Sequence, residues 1–265
     1  MLLRSVYHFL SLRCTPEHTN IPTYLWRNFG MKKLLINFLF ILYGTSLYAD
    51  TSRTYIEIYH YGYDEPNLMT KDSSIAFFGL GFQDYGIVDT NSVIGNVRYF
   101  IGDTDYWSTS TGTTSNDPTY GFSGELAYKW SMNTHGIFVG LGYRQLYDDW
   151  APKQSSTGHW TYDRKSEYFY LPLGVINYFG ESGYIKSQFN YLIEGTQTSF
   201  LGYLGGSYLD TINDQSSGYG LDLEYSTGNA YSVFLRYWNI DDSTVNNGLY
   251  EPNNTTTEIG FKYLF

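Results

Sequence analysis

From Asp50 onward this chain has no cysteine; its single one, Cys14, lies upstream of that point. A disulfide scaffold, a thiolate zinc site and a cysteine nucleophile are therefore excluded from residues 50–265. Proline is sparse, 7 in 265 residues, and after residue 49 no stretch approaches the roughly 20 apolar residues that a membrane-spanning helix needs. Apolar residues at three-to-four spacing, the mark of an amphipathic helix, are hard to find in the same region. No phosphate-cradling loop, no HExxH and no GxSxG occurs there. Basic charge is also short: from Asp50 on, 25 acids face 11 bases. That balance repels nucleic acid.

What the chain does have is aromatic residues, 20% of the total with 29 Tyr, and 27 Gly. Mean hydropathy is slightly negative, −0.32. Dispersed aromatics and many glycines without an apolar helix point to an all-β protein, either an extracellular domain or a membrane barrel.

An export signal bears on that choice. Met31 opens a segment with Lys32 and Lys33 as a basic start, Leu34 to Tyr43 as an apolar run of about ten residues, and Leu47-Tyr48-Ala49 before a cleavage point. Residues 31–49 read as a secretory signal peptide, too short to span a membrane as a helix. Residues 1–30 are expected to be a non-native upstream extension, and 50–265 the barrel domain.

Ten segments of nine to eleven residues alternate with period two: 54–63, 74–84, 92–101, 121–131, 137–147, 168–178, 184–194, 218–226, 230–240 and 256–265. That length suits a tilted strand crossing a bilayer. The second connection and each alternate one after it are short, for example Asn133-Thr134-His135-Gly136, whereas 102–120, 148–167 and 196–217 are long and polar. The expected fold is a closed antiparallel up-and-down transmembrane β-barrel of about ten strands, with short periplasmic turns and long extracellular loops. One face carries sets such as Leu126, Tyr128 and Trp130, with aromatics flanking aliphatics, as an aromatic girdle around a lipid-facing band requires. The opposite face carries Glu57, Arg98, Glu125, Lys129, Arg144, Lys186, Glu194, Asp222, Glu224, Arg236, Glu258 and Lys262. Six acids and six bases can pair inside a lumen, where a lone charge is costly. Gly140, Gly142, Gly174 and Gly220 share that face with Tyr59, Phe138, Tyr170 and Trp238, so large and small side chains should interdigitate. A largely plugged barrel with at most a narrow water path is expected.

The last nine residues run Thr257-Glu258-Ile259-Gly260-Phe261-Lys262-Tyr263-Leu264-Phe265. This pattern resembles the closing strand of Gram-negative outer-membrane β-barrels, which commonly finish on an aromatic residue, usually Phe. The resemblance implies location in the outer membrane among lipid and lipopolysaccharide. It also implies that Ile259, Phe261, Tyr263 and Phe265 form a signal read by the barrel-assembly machinery.

Fifteen acids fall in the expected loops: Asp64, Glu65, Asp72, Asp103, Asp105, Asp117, Asp148, Asp149, Asp163, Glu167, Asp210, Asp214, Asp241, Asp242 and Glu251. Such loops would lie in solvent, hold divalent cations that bridge lipopolysaccharide, or meet a basic partner. The pair Asp103-Thr104-Asp105 is similar to the paired Asp of the ten-stranded omptin proteases, but their Asp-x-His pair is missing here. Asp103 and Asp105 with Asp117 have the oxygen chemistry of a calcium site. His159 is a loop histidine that would serve as a base only with partners, and His60 is placed where a lipid A acylase or deacylase would need Ser and His to converge. No cofactor and no catalytic or metal site is expected. The leading expectation is a structural or surface-interaction barrel acting through its loops on an extracellular ligand. A narrow porin-like channel for small solutes is the alternative, and a rim hydrolase of omptin or lipid A-modifying type the third.

Overall fold

The computed structural model describes residues 52–265 apart from 181, 205–207, 229 and 247. The expected upstream extension 1–30 and signal peptide 31–49 lie outside the described residues. Twelve strand segments follow one another: β1 (Ser52–Glu65), β2 (Met69–Ser73), β3 (Phe77–Asp84), β4 (Ser92–Ser108), β5 (Gly112–Met132), β6 (His135–Asp148), β7 (Asp163–Phe179), β8 (Gly183–Phe200), β9 (Thr211–Gln215), β10 (Gly218–Ser226), β11 (Tyr231–Ile240) and β12 (Asn254–Leu264). They make ten staves. β2 and β3 both lie between β1 and β4, and β9 and β10 both run along β8. β1 pairs antiparallel with β12, from Tyr55↔Leu264 to Asp64↔Thr255, so the sheet closes on itself. Across the wall this closure removes the free strand edges that hydrocarbon would not tolerate, and among the described residues β9 alone has a single strand neighbour, β8.

The period-two alternation sorts side chains by chemistry. Ile58, Leu126, Leu141, Leu223, Ile259 and Phe261 point outward and are exposed, while Tyr59, Arg98, Lys129 and Glu258 point inward and are buried. Apolar outside and charged inside is the inverse of a soluble barrel. The chain is a closed transmembrane β-barrel.

Interior packing follows the expected mixture of large and small. A Cβ on Gly142 would stand 2.3 Å from the ring of Tyr170, and one on Gly174 would stand 2.3 Å from that of Phe138. Each glycine is the socket into which a neighbouring strand's ring fits. At the end holding Ser52 and Phe265 the β5–β6 turn is two residues, and Asn133, at φ 54°, makes it in a left-handed conformation that asparagine tolerates.

Two expectations on connections need correction. The segment 102–120 is no loop: β4 and β5 run 17 and 21 residues and carry their ladder past the lipid band to a three-residue turn at 109–111. β7 and β8, at 17 and 18 residues, likewise take 163–167 and 196–200 out of the expected loops 148–167 and 196–217. Rich in Thr, Tyr and Ser, these stretches look like loops by polarity, yet β-branched and aromatic residues suit a pleated hairpin as well. At the same end, the connections 149–162, 201–210 and 241–253 are longer than that turn.

Candidate functional site

The lumen is filled in layers, which β1 orders from the end holding Ser52 as Tyr55, Glu57, Tyr59, Tyr61, Tyr63 and Glu65. Near that end Lys262 Nζ lies 2.7 Å from Glu224 Oε2 and 3.1 Å from Gln83 Oε1. Tyr184 Oη donates to Glu224 at 2.6 Å. One layer up, two carboxylates sit among three guanidinium groups. Arg98 Nη1 is 2.9 Å from Glu57 and 2.8 Å from Glu258, Arg144 Nη2 is 3.2 Å from Glu258, and Arg236 reaches both, at 2.9 and 3.0 Å. Beside them Tyr170 Oη and Gln188 Nε2 each donate to Glu125 at 2.8 Å, and Gln188 donates to Asp222 at 3.1 Å. Lys186 Nζ stands 3.7 Å from Glu125. The cavity among these charges measures about 30 Å³, room for about one water molecule. Above them Tyr59, Tyr61, Phe77 and Phe100 form an aromatic layer, with Tyr61 stacked on Phe77 at 4.8 Å.

Two of the twelve expected lumen residues behave otherwise. Lys129 is buried, but its ammonium donates to the carbonyls of Tyr85 and Ile87 and to Tyr178 Oη, at 3.1, 2.8 and 2.9 Å, pinning the turn 85–91. Glu194 is exposed on the outer surface. The physical reason is a bulge: Phe169 faces Glu194 but Tyr170 faces Leu192, so Ile193 is an extra residue and two consecutive side chains point outward. Without Glu194 the inward set holds five acids against six bases.

A second charged cluster closes the mouth at the opposite end, the end of the connections 149–162, 201–210 and 241–253. Arg164 Nε is 3.2 Å from Asp148 Oδ2, and its Nη1 is 3.0 Å from Glu65 and 3.2 Å from Glu251. Lys71 Nζ reaches Asp148 at 2.7 Å, Thr119 Oγ1 donates to Asp148 at 2.9 Å, and Tyr63 Oη donates to Glu65 at 2.6 Å. Burial lifts the Glu251 carboxyl to about 7 against the pull of Arg164, and the Glu65 charge adds to the rise. Glu65, Asp117, Asp148, Asp163 and Glu251 were expected in solvated loops and are instead buried. Parity would have found three of the cluster's members: Glu65, Asp148 and Arg164 continue the inward rows Tyr59-Tyr61-Tyr63, Arg144-Leu146 and Tyr168-Ser166.

Over this floor opens a cavity of about 410 Å³, lined by aromatic rings of Tyr106, Trp150, Trp160, Tyr162 and Tyr208 together with His159, Thr111, Ser155, Thr161 and Arg164. The connection 149–162 that supplies most of it is braced. Asp163 Oδ1 accepts from the amides of Trp150 and Ala151 at 3.0 and 2.8 Å, Thr161 N donates to Lys153 O at 2.9 Å, and Lys153 Nζ bonds Asn116 O and Asp117 Oδ1 at 2.9 and 2.8 Å.

The other candidates do not assemble. Asp103 and Asp105 face outward while Asp117 is buried on the inner side, so the three share no space for a cation. Among the described residues no group of three or more His, Cys, Asp or Glu is placed to hold a metal. Asp105 accepts from Ser74 Oγ at 2.7 Å and Asn116 N at 3.1 Å, and these bonds hold its carboxyl below the usual range. His60 sits on the outer wall, its Nδ1 2.9 Å from Ser73 Oγ and its Nε2 3.6 Å from Asp72 Oδ1. Ile259, Phe261, Tyr263 and Phe265 form an outward hydrophobic row, three of the four aromatic, on and just after β12.

No protein-family model matches the chain, and no curated protein matches it. Among solved structures it is similar to the outer-membrane protease OmpT of Escherichia coli, at 11% identity over 82% of this chain and 97% of that one, TM-score 0.43. It is also similar to the translocator domain of the autotransporter NalP from Neisseria meningitidis, at 12% identity, 89% and 96% coverage, TM-score 0.34. A third is the outer-membrane phospholipase A of Escherichia coli, at 11% identity, 80% and 95% coverage, TM-score 0.28. Likeness at this level assigns no chemistry.

Proposed function

We propose that this outer-membrane barrel is a sealed structural element that presents its extracellular mouth for recognition. The observation that carries this reading is the layered lumen, where ion pairs and stacked rings leave about 30 Å³ among the central charges. A conducting pore needs a continuous water path, and a permeant ion would have to break buried pairs to make one. In this reading the signal peptide 31–49 directs export, the row Ile259, Phe261, Tyr263 and Phe265 engages the barrel-assembly machinery, and the aromatic girdle meets lipid and lipopolysaccharide. Planar-bilayer recording of the purified protein tests it: the expected trace stays at baseline. Reproducible unitary steps that vanish on denaturation would establish the channel alternative instead.

The hydrolase alternative has one observation in its favour, the bond between Ser73 Oγ and His60 Nδ1 at 2.9 Å on the outer wall. A working triad also needs a carboxylate hydrogen-bonded to the imidazole, and 3.6 Å to Asp72 is too long for that bond. Ester hydrolysis in mixed micelles that disappears in Ser73→Ala would support it.

A further inference from the structure

We infer that the extracellular cavity is a binding site for an uncharged sugar. The inference rests on the surface-recognition reading and names the class of ligand its mouth would take. Size comes first: about 410 Å³ falls in the range of sites that enclose a small molecule, and a mono- or disaccharide is of that scale. The rings come next. Trp160 and Tyr208 are 56% and 60% exposed at the rim, and rigid aromatic faces held in water are suited to stack on the apolar C–H face of a pyranose. Hydroxyl and imidazole groups of Thr111, Ser155, Thr161 and His159 share the lining and can meet sugar hydroxyls as donors or acceptors.

Charge then decides between an uncharged ligand and a quaternary ammonium, the other guest that aromatic cavities favour. Arg164 is the lining residue that carries a fixed charge, and it is positive. Its guanidinium already lies 5.2 Å from the rings of both Trp150 and Tyr63, with Lys71 Nζ 4.8 Å from Trp150. Of the lining rings Trp150 thus already carries the protein's own cations, and a second cation at that face would meet like charge. An anion fares no better, because Asp148, Glu65 and Glu251 surround Arg164 at 3.0 to 3.2 Å. What remains is a neutral ligand rich in hydroxyls with an apolar face.

The site is formed in advance. A hairpin-like bridge joins Gln154 and Trp160, Ser155 N donates to His159 O at 2.9 Å, and Thr157 Oγ1 lies 2.9 Å from His159 Nδ1, fixing the imidazole. Rings held in place need little ordering when a ligand arrives, which lowers the entropic cost of binding.

Titration of the detergent-solubilised protein with glucose, galactose, N-acetylglucosamine and their disaccharides, followed by tryptophan fluorescence and calorimetry, tests the inference. Choline and glucuronate serve as charged comparators. At least one neutral sugar should saturate, Trp160→Ala should weaken it roughly tenfold, and His60→Ala on the outer wall should leave it unchanged. Retention of heat-modifiable migration in gels shows that each variant is folded. Failure of every neutral sugar to saturate, tighter binding of choline, or an unchanged affinity in folded Trp160→Ala would overturn the inference. A non-conducting barrel that binds no sugar would sink this proposal and leave the surface-recognition reading standing, whereas channel steps would count against that reading alone.

Discussion

Arg236 Nη2 lies 2.9 Å from Glu57 Oε2, a bond between residues 179 apart in the chain. Arg236 is on β11 and Glu57 on β1, with β12 between them, so the pair straddles the seam where the barrel closes. Glu258 on β12 sits inside the same group, 3.0 Å from Arg236 and 2.8 Å from Arg98. The three strands at the seam are therefore joined by side chains as well as by backbone ladders.

Glu258→Ala should leave three guanidinium groups short of a counter-charge. Breaking a buried ionic network by removing one partner costs about 3–5 kcal/mol. Urea unfolding in lipid vesicles should show a loss of that order, and a loss below 1 kcal/mol would mean that the layer contributes nothing to stability.

Gly142→Ala should destabilise by about 1–3 kcal/mol through overpacking, because its new methyl would meet the Tyr170 ring at 2.3 Å. Adding Tyr170→Leu removes the ring and should recover part of the loss. A double variant no more stable than Gly142→Ala would place the strain elsewhere.

The connection 241–253 should loosen as pH rises. Glu251 is lifted from its ordinary 4.5 to about 7 when docked. A carboxyl with a raised folded-state value favours the docked state while protonated, so its contribution is full below about pH 4.5 and is lost on rising through about 7. Amide exchange in this segment should accelerate across that window, and Glu251→Gln should flatten the profile. Slower exchange at higher pH would reverse the sign.

Phe265→Ser should impair assembly without weakening the finished barrel. The side chain is exposed, and its backbone amide bonds Thr54 O at 2.9 Å whatever the residue. Refolded variant should match the parent within about 0.5 kcal/mol, while cells should accumulate less heat-modifiable barrel in the outer membrane. Equal accumulation would remove Phe265 from the assembly signal.

Most of the wall was legible in the sequence because one number, a period of two, fixes both strand and face. The row from Glu258 to Lys262 was readable for that reason. Glu194 was misplaced because a bulge obeys local pairing geometry and leaves no mark in composition. The cluster around Arg164 escaped for another reason: acids in polar stretches look like solvated loop, and only the inward parity of Glu65, Asp148 and Arg164 betrays a barrel that continues above the lipid. The mouth cavity was not legible at all, since Tyr106 comes from the end of β4 and Trp160 and Tyr208 from two separate connections, with no sequence relationship.

The bulge at Ile193 bears on how this chain can change length. Below it the inward row on β8 is even-numbered, Lys186, Gln188, Asn190 and Leu192; above it the row is odd-numbered, Gly195, Gln197 and Ser199. Ile193 and Glu194 both point out, so removing Ile193 leaves Leu192 in, Glu194 out and Gly195 in, a regular alternation. A one-codon deletion in most staves would turn half of the strand inside out. Here it would erase an irregularity and leave every other side chain on its own face.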